Sequence, residues 1–413
     1  MHPTQKLLGL SCFAPNLLFR ADTMTPSSWK KVDNARAVAL EVLLYNARHG
    51  HGDLPRTAAW GYPEPYTRDL LIAALGILVS GNRELVASLG RVLQTLATNQ
   101  SPLGHMPSLI DAPQNRGASD TTPLFLLALA WYRKATGKAG FLAGAARKAL
   151  AWMSYQSPDD MVMVAQQPTS DWRDEQWVEG FGLFVNTLVY AYLRLHALDQ
   201  RAQMLKDQMN RFDVQGRNRH PFVHEGLTVP HKPYFALWSY KTNNSERFDL
   251  LGNSLAVLGG IASPSRSRKL VAWVEKECAS LRDRRLLAVE LPPCLFPYIR
   301  PSDPDWRPRY AQYNAPGEYH NGGVWPFVCG FYVAALVAAG RFHLAEKKLL
   351  ALTELVQPAR EARVPYGFNE WFKAQDGTPR GQDWQTWSAA MFLYAAECVA
   401  TRRTPFFDEI RDA

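Results

Sequence analysis

The chain has 413 residues, of which 47% are hydrophobic and 20% are charged. This composition, without an apolar run long enough to cross a bilayer, predicts a soluble globular protein and argues against a membrane protein. The formal net charge is +8, but the basic residues occur in short groups, RSRK at 266–269 and RDRR at 282–285, which are typical of solvated helix ends and not of a nucleic-acid surface.

The first segment, MHPTQKLLGLSCFAPNLLFRADTM, has a short apolar patch that Pro15 interrupts. It lacks the cleavage pattern of a signal peptide, so we interpret residues 1–30 as an N-terminal extension, with Met24 as an alternative start. The five cysteines are scattered without a C-x-x-C pair, which argues against a disulfide framework and a zinc site. A reducing cytoplasm is the predicted compartment.

Apolar segments with helical periodicity follow along the rest of the chain, whereas strand patterns are scarce. We predict about twelve helices, at residues 33–49, 67–79, 82–98, 120–136, 140–155, 178–196, 198–212, 247–259, 264–281, 324–339, 342–355 and 384–400. The predicted fold class is therefore all-α.

The connections between these helices alternate between very short joints, such as GN at 81–82, and long loops of roughly 17 to 41 residues, far above the usual loop length. An antiparallel series with this alternation has all its long loops at one end. We therefore predict a single domain over residues 31–405, an (α/α)6 toroid with inner helices beginning near residues 67, 120, 178, 247, 324 and 384, and a tail over residues 406–413. An open array of helical hairpins is the alternative, although no repeat of fixed period supports it.

The junctions between the long loops and the inner helices share a composition rich in carboxylates, Trp, Tyr, Asn and Arg. They read WGYPEPYTRD (60–69), NRGASDTTP (115–123), TSDWRDEQW (169–177), NNSERFDLLGNS (243–254), EYHNGGVWP (318–326), and GFNEWF with GQDWQTWS between residues 367 and 388. Carbohydrate pockets have this character, because sugar rings stack on aromatic faces while polar side chains bond the hydroxyl groups. Glycine-rich phosphate motifs, H-E-x-x-H and G-x-S-x-G do not occur, so we predict no metal and no cofactor.

Two junction carboxylates are candidates for the acid and base that break a glycosidic bond. Asp120 lies in ASDTTP at the start of a predicted helix, where a helix N-cap is the alternative role. Glu370 lies between Phe368 and Trp371, where burial would raise its pKa, and a surface-loop carboxylate is the alternative.

The other junction acids also have structural interpretations. Asp69 suits the first turn of a helix, where the helix dipole favours a carboxylate. Asp171 and Asp174, around Trp172 and Arg173, suit an internal ion-pair cluster. Asp249 suits a turn cap or an ion pair with Arg247.

Five stretches, spread in order over roughly residues 60–400, carry a family resemblance. They are YTRDLLIAALGILVSGNRELV, ASDTTPLFLLALAWYRKATG, RFDLLGNSLAVLGGIASPS, YHNGGVWPFVCGFYVAALVAAGR and FNEWFKAQDGTPRGQDWQTWSAAMFLYA. They resemble the neutral and alkaline invertases of glycoside hydrolase family 100 and, more loosely, the clan of (α/α)6 glucosidases that includes the glucosidase part of glycogen-debranching enzymes. The resemblance implies an inverting glycosidase with Asp120 as general acid and Glu370 as general base.

The chain departs from the invertase pattern in three places. TTPLFLL follows Asp120 where the family has aromatic residues, NEWF replaces the usual PEYYD, and TSDWRDEQWVEG looks more like the Trp-Arg clusters of glucosidases. Sucrose is therefore one candidate among small α-glucosides.

The junctions and the resemblance together assign a set of residues to sugar binding. They are Trp60, Tyr66, Arg68, Asp69, Asp171, Trp172, Arg173, Asn186, His320, Asn321, Trp325, Trp371, Trp384 and Gln385.

Two other function classes stay open at this point. A sugar epimerase of the N-acylglucosamine 2-epimerase type would use paired histidines on inner helices, whereas His105, His224 and His320 all fall in predicted loops. A carbohydrate-binding protein without catalysis is the other class. The helices show no long heptad seam, so the sequence predicts no particular oligomeric state.

Overall fold

The computed structural model describes residues 24–115, 117–157, 163–214, 226–241, 243–361 and 363–412. The predicted extension over residues 1–30 lies outside the described residues as far as residue 23, and so does His224. The helices are α1 (Pro26–Arg48), α2 (Thr67–Ile72), α3 (Ala74–Ser80), α4 (Arg83–Thr98), α5 (Thr121–Thr136), α6 (Ala143–Ser154), α7 (Leu183–Leu195), α8 (Asp199–Arg211), α9 (Leu250–Leu258), α10 (Pro264–Asp283), α11 (Tyr310–Tyr313), α12 (Pro326–Ala338), α13 (Phe342–Leu355), α14 (Thr386–Thr401) and α15 (Asp408–Asp412). The strands are β1 (Phe181–Gly182), β2 (Ala236–Tyr240), β3 (Asn243–Asp249), β4 (Leu295–Phe296), β5 (Trp371–Phe372) and β6 (Pro379–Arg380). None of the helices in the described ranges is long and apolar enough to cross a membrane.

The predicted helical class is confirmed, and each predicted helix corresponds to one helix or to the consecutive pair α2 and α3. The start of α1 was predicted too late, at residue 33. The helix begins at Pro26, where the Thr25 hydroxyl accepts a hydrogen bond from the Ser28 N–H at 3.2 Å. Because proline suits the first turn and threonine suits the N-cap, the TPSS segment carries a start signal that apolar periodicity alone does not detect.

Six helices of the series, counting α2 and α3 as one, are buried on nearly every side. In α12 every residue from Pro326 to Val337 is buried. Glycines allow these helices to approach closely, since a Cβ on Gly76 of α3 would lie 2.0 Å from the carbonyl oxygen of Ala390 in α14. A Cβ on Gly330 of α12 would likewise lie 2.7 Å from the carbonyl oxygen of Met391. Only glycine permits this close contact, because a Cβ atom at either position would push the neighbouring helix away.

These six helices contact one another in chain order. The contacts run from α3 to α5, α7, α9, α12 and α14, and α14 packs in turn against α3, so the series closes on itself. The helices α4, α6, α8 and α13 each pack on the outside of the helix that precedes them, and α1 packs against α14. The long loops therefore lead into the N-terminal ends of the six inner helices.

The long loops contain strands that the sequence did not indicate. β1, β2, β3 and β4 form an antiparallel sheet in that order, and β5 pairs with β6. Two inner helices consequently begin later than predicted, since residues 181–182 and 243–249 are strands. The segment NNSERFD is short and polar, so its strand conformation is determined by pairing with β2 and β4 and not by local propensity.

Asparagine side chains fix the long loops above the inner helices. The Asn186 amide of α7 donates to the carbonyl oxygens of Val164 at 3.0 Å and Gly182 at 2.9 Å, and its oxygen accepts from the Val164 N–H at 2.8 Å. Asn253 of α9 makes the same three kinds of bond with Phe235 and Asp249. Because both amides are buried and fully bonded, they hold loop backbone in place beside the helix ends.

The C-terminal ends of the inner helices are closed by the end of the chain. The predicted tail contains α15, and Arg411 donates to the carbonyl oxygen of Leu258 at the end of α9 at 3.0 Å. Phe407 lies between the inner helices and contacts Trp131 with ring centroids 5.8 Å apart. Among the described residues, the segment around Phe407 and Arg411 therefore covers the ends of inner helices that lie opposite the long loops.

Candidate active site

Asp120 occupies the N-cap position of α5, but its carboxylate makes no capping hydrogen bond. It is fully buried and accepts two hydrogen bonds from Arg68, at 2.5 Å from Nε and 3.2 Å from Nη2. Burial raises the pKa of Asp120 to about 6, although the Arg68 guanidinium acts in the opposite direction. The Asp120 carboxylate therefore does not act as a helix cap.

Glu370 is buried to 5% exposure, which excludes the alternative of a surface-loop carboxylate. Its carboxylate accepts one hydrogen bond of 3.3 Å from the Gln382 N–H, and no lysine or arginine among the described residues forms an ion pair with it. Gly381 lies so close that a Cβ there would be 2.2 Å from a carboxylate oxygen. Burial and the nearby Asp69 raise the pKa of Glu370 to about 8.

Asp69 and Asp174 complete a group of four carboxyls at this site. Burial raises the pKa of Asp69 to about 7, Arg68 lowers it and Asp174 raises it further. Asp69 and Asp174 both raise the pKa of Glu370, which requires all three to lie near one another. Asp69 also accepts a hydrogen bond from Gln385 at 3.4 Å. The first turn of α2, the start of α5 and the loops before α7 and α14 thus bring these acids near one another, as the sequence predicts for the junctions that contain them.

The cleft at this site has a volume of about 320 Å³. Its walls come from the loops before α2, α5 and α7, and the described lining residues are Tyr66, Arg68, Ser108, Gly117, Ala118, Thr121, Gln167, Pro168, Thr169, Ser170 and Asp174. Most of these residues offer hydroxyl, amide or backbone groups. Such a lining suits a ligand with several hydroxyl groups.

A buried aromatic group supports the site from the side of α12. The His320 ring stacks on Trp325, with ring centroids 5.4 Å apart, and meets the edge of Trp172 at 5.1 Å. The Trp325 indole donates to the carbonyl oxygen of Tyr319 at 2.9 Å. Burial, together with Arg173, keeps the pKa of His320 well below its usual value, so this histidine is neutral.

Arg173 forms a buried ion pair with Asp249, at 2.5 Å between Nη2 and Oδ1. Asp249 also caps α9 by accepting from the N–H groups of Leu251 and Gly252, each at 3.1 Å. The capping role predicted for Asp249 is therefore confirmed. The predicted ion pair of Asp249 with Arg247 is wrong.

Arg247 reaches a different loop, where it pairs with Asp303 at 2.9 Å and Asp305 at 2.7 Å.

The internal ion-pair cluster predicted for residues 171–174 is also wrong. Asp171 accepts from the Arg173 N–H at 2.7 Å and from Gln166 at 3.1 Å, while the Arg173 guanidinium pairs with a different loop. Alternating residues of one segment point to different neighbours, so adjacency in sequence does not predict the pairing.

The structure separates the residues assigned to sugar binding into two groups. The first group lies near the carboxyls and includes Tyr66, Arg68, Asp69, His320 and Gln385. Trp371 packs on Tyr319 with ring centroids 5.7 Å apart, and Trp60, half exposed, packs on Trp384 at 5.3 Å. The second group consists of buried residues with protein partners, namely Asp171, Trp172, Arg173, Asn186, Asn321 and Trp325.

Two tyrosines near the carboxyls were not singled out by sequence reasoning. Glu370 and burial raise the pKa of Tyr62, and burial, Glu370 and Asp174 raise that of Tyr319, so both rings lie beside the acids. Tyr319 has a positive φ of 44°, which is uncommon for a residue with a side chain. Each tyrosine stands within a quoted junction, and that composition was the only available signal.

Comparison with protein families gives a match to the model described as "Alkaline and neutral invertase" over residues 185–401. Similar curated proteins include the probable alkaline/neutral invertase A, chloroplastic, of Arabidopsis thaliana, with 25% identity over 47% of this chain and 29% of that protein. Cytosolic invertase 1 of Oryza sativa subsp. japonica is 27% identical over 36% of this chain and 25% of its own length. The matches therefore span less than a third of these relatives. Their names include both cytosolic and chloroplastic forms, so they do not select a compartment.

Solved structures with the same fold cover nearly the whole chain. The GH63 mannosylglycerate hydrolase from Thermus thermophilus, in complex with Tris and D-glycerate, has a TM-score of 0.62 at 15% identity, over 87% of this chain and 99% of that one. A chain described as a wild-type glycosidase has a TM-score of 0.61 at 16% identity, over 91% of this chain and 99% of that one. The likeness in fold agrees with the family model, which covers more than half of the sequence. The chain belongs to the alkaline and neutral invertase family.

Proposed function

We propose that this protein is a glycoside hydrolase that cleaves the α-glycosidic bond of a small sugar, sucrose or another α-glucoside, with inversion. The observation that carries the proposal is the convergence of four carboxyls beside a polar cleft, where Asp69, Asp120 and Asp174 surround Arg68 and Glu370 lies near Asp69 and Asp174. Buried carboxyls with raised pKa values are suited to proton transfer near neutral pH. Family membership and the glycosidase neighbours support the same chemistry.

The proposed architecture is the (α/α)6 toroid formed by a single domain. The closed series of contacts among the six inner helices supports it, since an open array of hairpins would leave the first and last inner helices apart. α14 instead packs against both α3 and α12. The outer helices then form the second layer.

In the proposed mechanism, Asp120 gives its proton to the departing glycosidic oxygen. Glu370 takes a proton from a water molecule, whose oxygen attacks the anomeric carbon from the opposite face of the sugar ring. The bond to the leaving group breaks as the bond to the water oxygen forms, so the anomeric configuration inverts. For an inverting pair we expect the two carboxyls to lie roughly 6.5–9.5 Å apart, which leaves room for the water.

The pKa values of Asp120 and Glu370 bear on which of the two is the acid and which is the base. In the free site the pKa values of about 6 for Asp120 and about 8 for Glu370 favour a proton on Glu370 at neutral pH. The assignment that the resemblance implies requires that proton to be on Asp120 when the sugar is bound. If Glu370 were the acid and Asp120 the base, the proton would already be on the acid in the free site. The experiment must therefore distinguish these two assignments.

The test uses Asp120→Asn and Glu370→Gln with two substrates, sucrose and α-glucosyl fluoride, because fluoride leaves without a general acid. We expect Asp120→Asn to lose about 10²–10⁴-fold in kcat on sucrose and much less on the fluoride. Glu370→Gln should lose activity on both, and azide should restore turnover of the fluoride by replacing the water. The opposite pattern would exchange the roles, and near-normal activity of both variants would reject the pair.

Two further measurements complete this test. NMR of the first product should show β-glucose released from an α-glucoside, whereas α-glucose would indicate retention. A panel of sucrose, trehalose, isomaltose, maltose and glucosylglycerate then identifies the substrate by the sugar released. Exposed Asp111→Asn serves as the control for removal of a carboxylate elsewhere on the same loops.

The epimerase alternative receives no comparable support from the described residues. His105 stacks on Trp152 at 4.8 Å and contacts the carbonyl oxygen of Ala118 at 3.3 Å, and His196 contacts the carbonyl oxygen of Leu126 at 3.3 Å, so each has a structural partner. His320 is the one histidine placed at the site among the described residues, and it is neutral and buried. A pair of histidines for proton transfer at carbon is therefore not found in this part of the chain.

A further inference from the structure

Asp174 differs from the other three carboxyls of the site because solvent reaches it. Its side chain is 57% exposed, whereas those of Asp69, Asp120 and Glu370 are buried. It lines the cleft of about 320 Å³, which Glu370 does not. A ligand that enters this cleft therefore meets the carboxylate of Asp174 directly.

The described part of the cleft wall carries little other charge. Of the described lining residues only Arg68 and Asp174 are charged, and the rest include the hydroxyl groups of Thr121, Thr169 and Ser170. Arg68 donates to both carboxylate oxygens of Asp120, so its positive charge is already paired. An anion that entered the cleft would find no free cation among these residues.

The Arg68 guanidinium on the same wall attracts Asp174 and lowers its pKa against the effect of burial, but the two groups do not form an ion pair. Among the described residues no lysine or arginine lies within ion-pair distance of its carboxylate. The nearest basic group is Nε2 of His320, at 4.0 Å from Oδ1. That histidine is buried, stacks on Trp325, contacts the tilted ring of Tyr319, and is neutral.

The cleft lies on the side of the proposed acid. Arg68 forms part of the cleft wall and holds Asp120, and Thr121, the next residue in the chain, also lines it. In a glycosidase the acid faces the oxygen of the leaving group. The leaving group should therefore occupy this cleft.

We propose that the cleft binds the leaving group and that Asp174 is a specificity-determining residue, which selects neutral, hydroxyl-bearing leaving groups and rejects anionic ones. This inference rests on the proposed function. A carboxylate accepts hydrogen bonds from sugar or polyol hydroxyls, whereas a second carboxylate at the same distance is repelled. Discrimination of this kind comes from a repulsive element built into the site.

The test compares α-glucosylglycerol with α-glucosylglycerate, which differ only in a hydroxymethyl group and a carboxylate. We expect the unmodified protein to prefer the neutral substrate by about tenfold or more in kcat/KM. Asp174→Asn should bring this ratio close to one, mainly by increasing kcat/KM for the anionic substrate. Asp207→Asn, which removes an exposed carboxylate on the outer helix α8, should leave the ratio unchanged.

The possible outcomes separate this inference from the proposed function. A merely structural role for Asp174 would lower kcat/KM for both substrates equally, and an unchanged ratio would overturn the inference. A preference of the unmodified protein for the anionic substrate would also overturn it. If either of these two results is found while the protein still turns over α-glucosyl fluoride, the inference about Asp174 fails and the proposed function stands. If the protein is inactive on every glucoside, the inference and the proposed function are both rejected.

Discussion

Asp120 and Glu370 are both buried carboxyls, but among the described residues Asp120 alone of the two has a cationic partner. The pair with Arg68 opposes the effect of burial and keeps the pKa of Asp120 near 6, whereas Glu370 reaches about 8. Two proton-transfer groups with these values predict a bell-shaped profile of kcat/KM against pH, with limbs near these pH values.

Replacing Arg68 by Gln tests how the residue tunes Asp120. Loss of the guanidinium removes the interaction that lowers the pKa of Asp120, so that pKa should rise above about 6. The limb on the acid side should move to higher pH and the bell should narrow. The measurement is kcat/KM across pH 4–10 with sucrose as substrate, because its leaving group needs the proton of the general acid.

Arg56→Gln is the matched control, because Arg56 bonds backbone carbonyl oxygens and does not contact the carboxyls. Its profile should match that of the unmodified protein. An acid-side limb that stays in place in Arg68→Gln would show that this limb does not report Asp120.

At the scale of single residues, the sequence identified the acids by their place before helices, but not their partners. Asp249 was expected beside Arg247 and instead pairs with Arg173, which lies 76 positions away. Tyr62, Tyr319 and Asp174 lie in junctions that the sequence marks by composition, but loop geometry decides which neighbours they contact. Such contacts depend on how three or more loops fold together, and no local pattern encodes them.

At the scale of elements, the helices follow from apolar periodicity, and the end of the chain shows what periodicity misses. Residues 406–413 were expected to form a tail, but Phe407 is buried at 2% exposure between inner helices. A single aromatic residue in a short segment has no periodicity. Its partners come from α5, α7 and other inner helices, so its burial appears only in the folded protein.

Phe407→Ala should therefore lower the free energy of unfolding by about 3–5 kcal/mol, because it removes a large buried side chain and leaves a cavity. Chemical denaturation followed by tryptophan fluorescence measures the change. Activity at 25 °C should be retained, since the substitution lies away from the open end of the inner helices.

Phe406→Ala is the matched control at the neighbouring position. Phe406 is only half buried, so its removal should cost less than half as much. Equal losses for the two variants would show that the end of the chain does not close the inner helices through Phe407.

At the scale of the whole molecule, the buried acids link stability to pH. The pKa of Glu370 rises from 4.5 to about 8 on folding, mainly through burial. Between these values the folded protein holds a proton that the unfolded chain has released. Stability from this group is therefore fully present below about pH 4.5 and is lost as the pH rises to about 8.

Glu370→Gln should remove this dependence, because glutamine resembles the protonated carboxyl and does not titrate. We expect its advantage in melting temperature over the unmodified protein to be several degrees larger at pH 8.5 than at pH 5. Glu41→Gln, at an exposed position of α1, is the control and should show little change between the two pH values. An advantage that is equal at both pH values would mean that Glu370 does not bind a proton more tightly in the folded state.

The sequence by itself determined the helical class, the order and approximate bounds of twelve helices, the alternation of short and long connections, and the junctions that hold the acids. These features are local, because periodicity and loop length are properties of neighbouring residues. The tertiary structure decided the loop strands, the pairing of Arg173 with Asp249 and of Arg68 with Asp120, the burial of Glu370, and the exposure of Asp174. These depend on contacts between residues far apart in the chain, where packing and desolvation act only after the loops have come together.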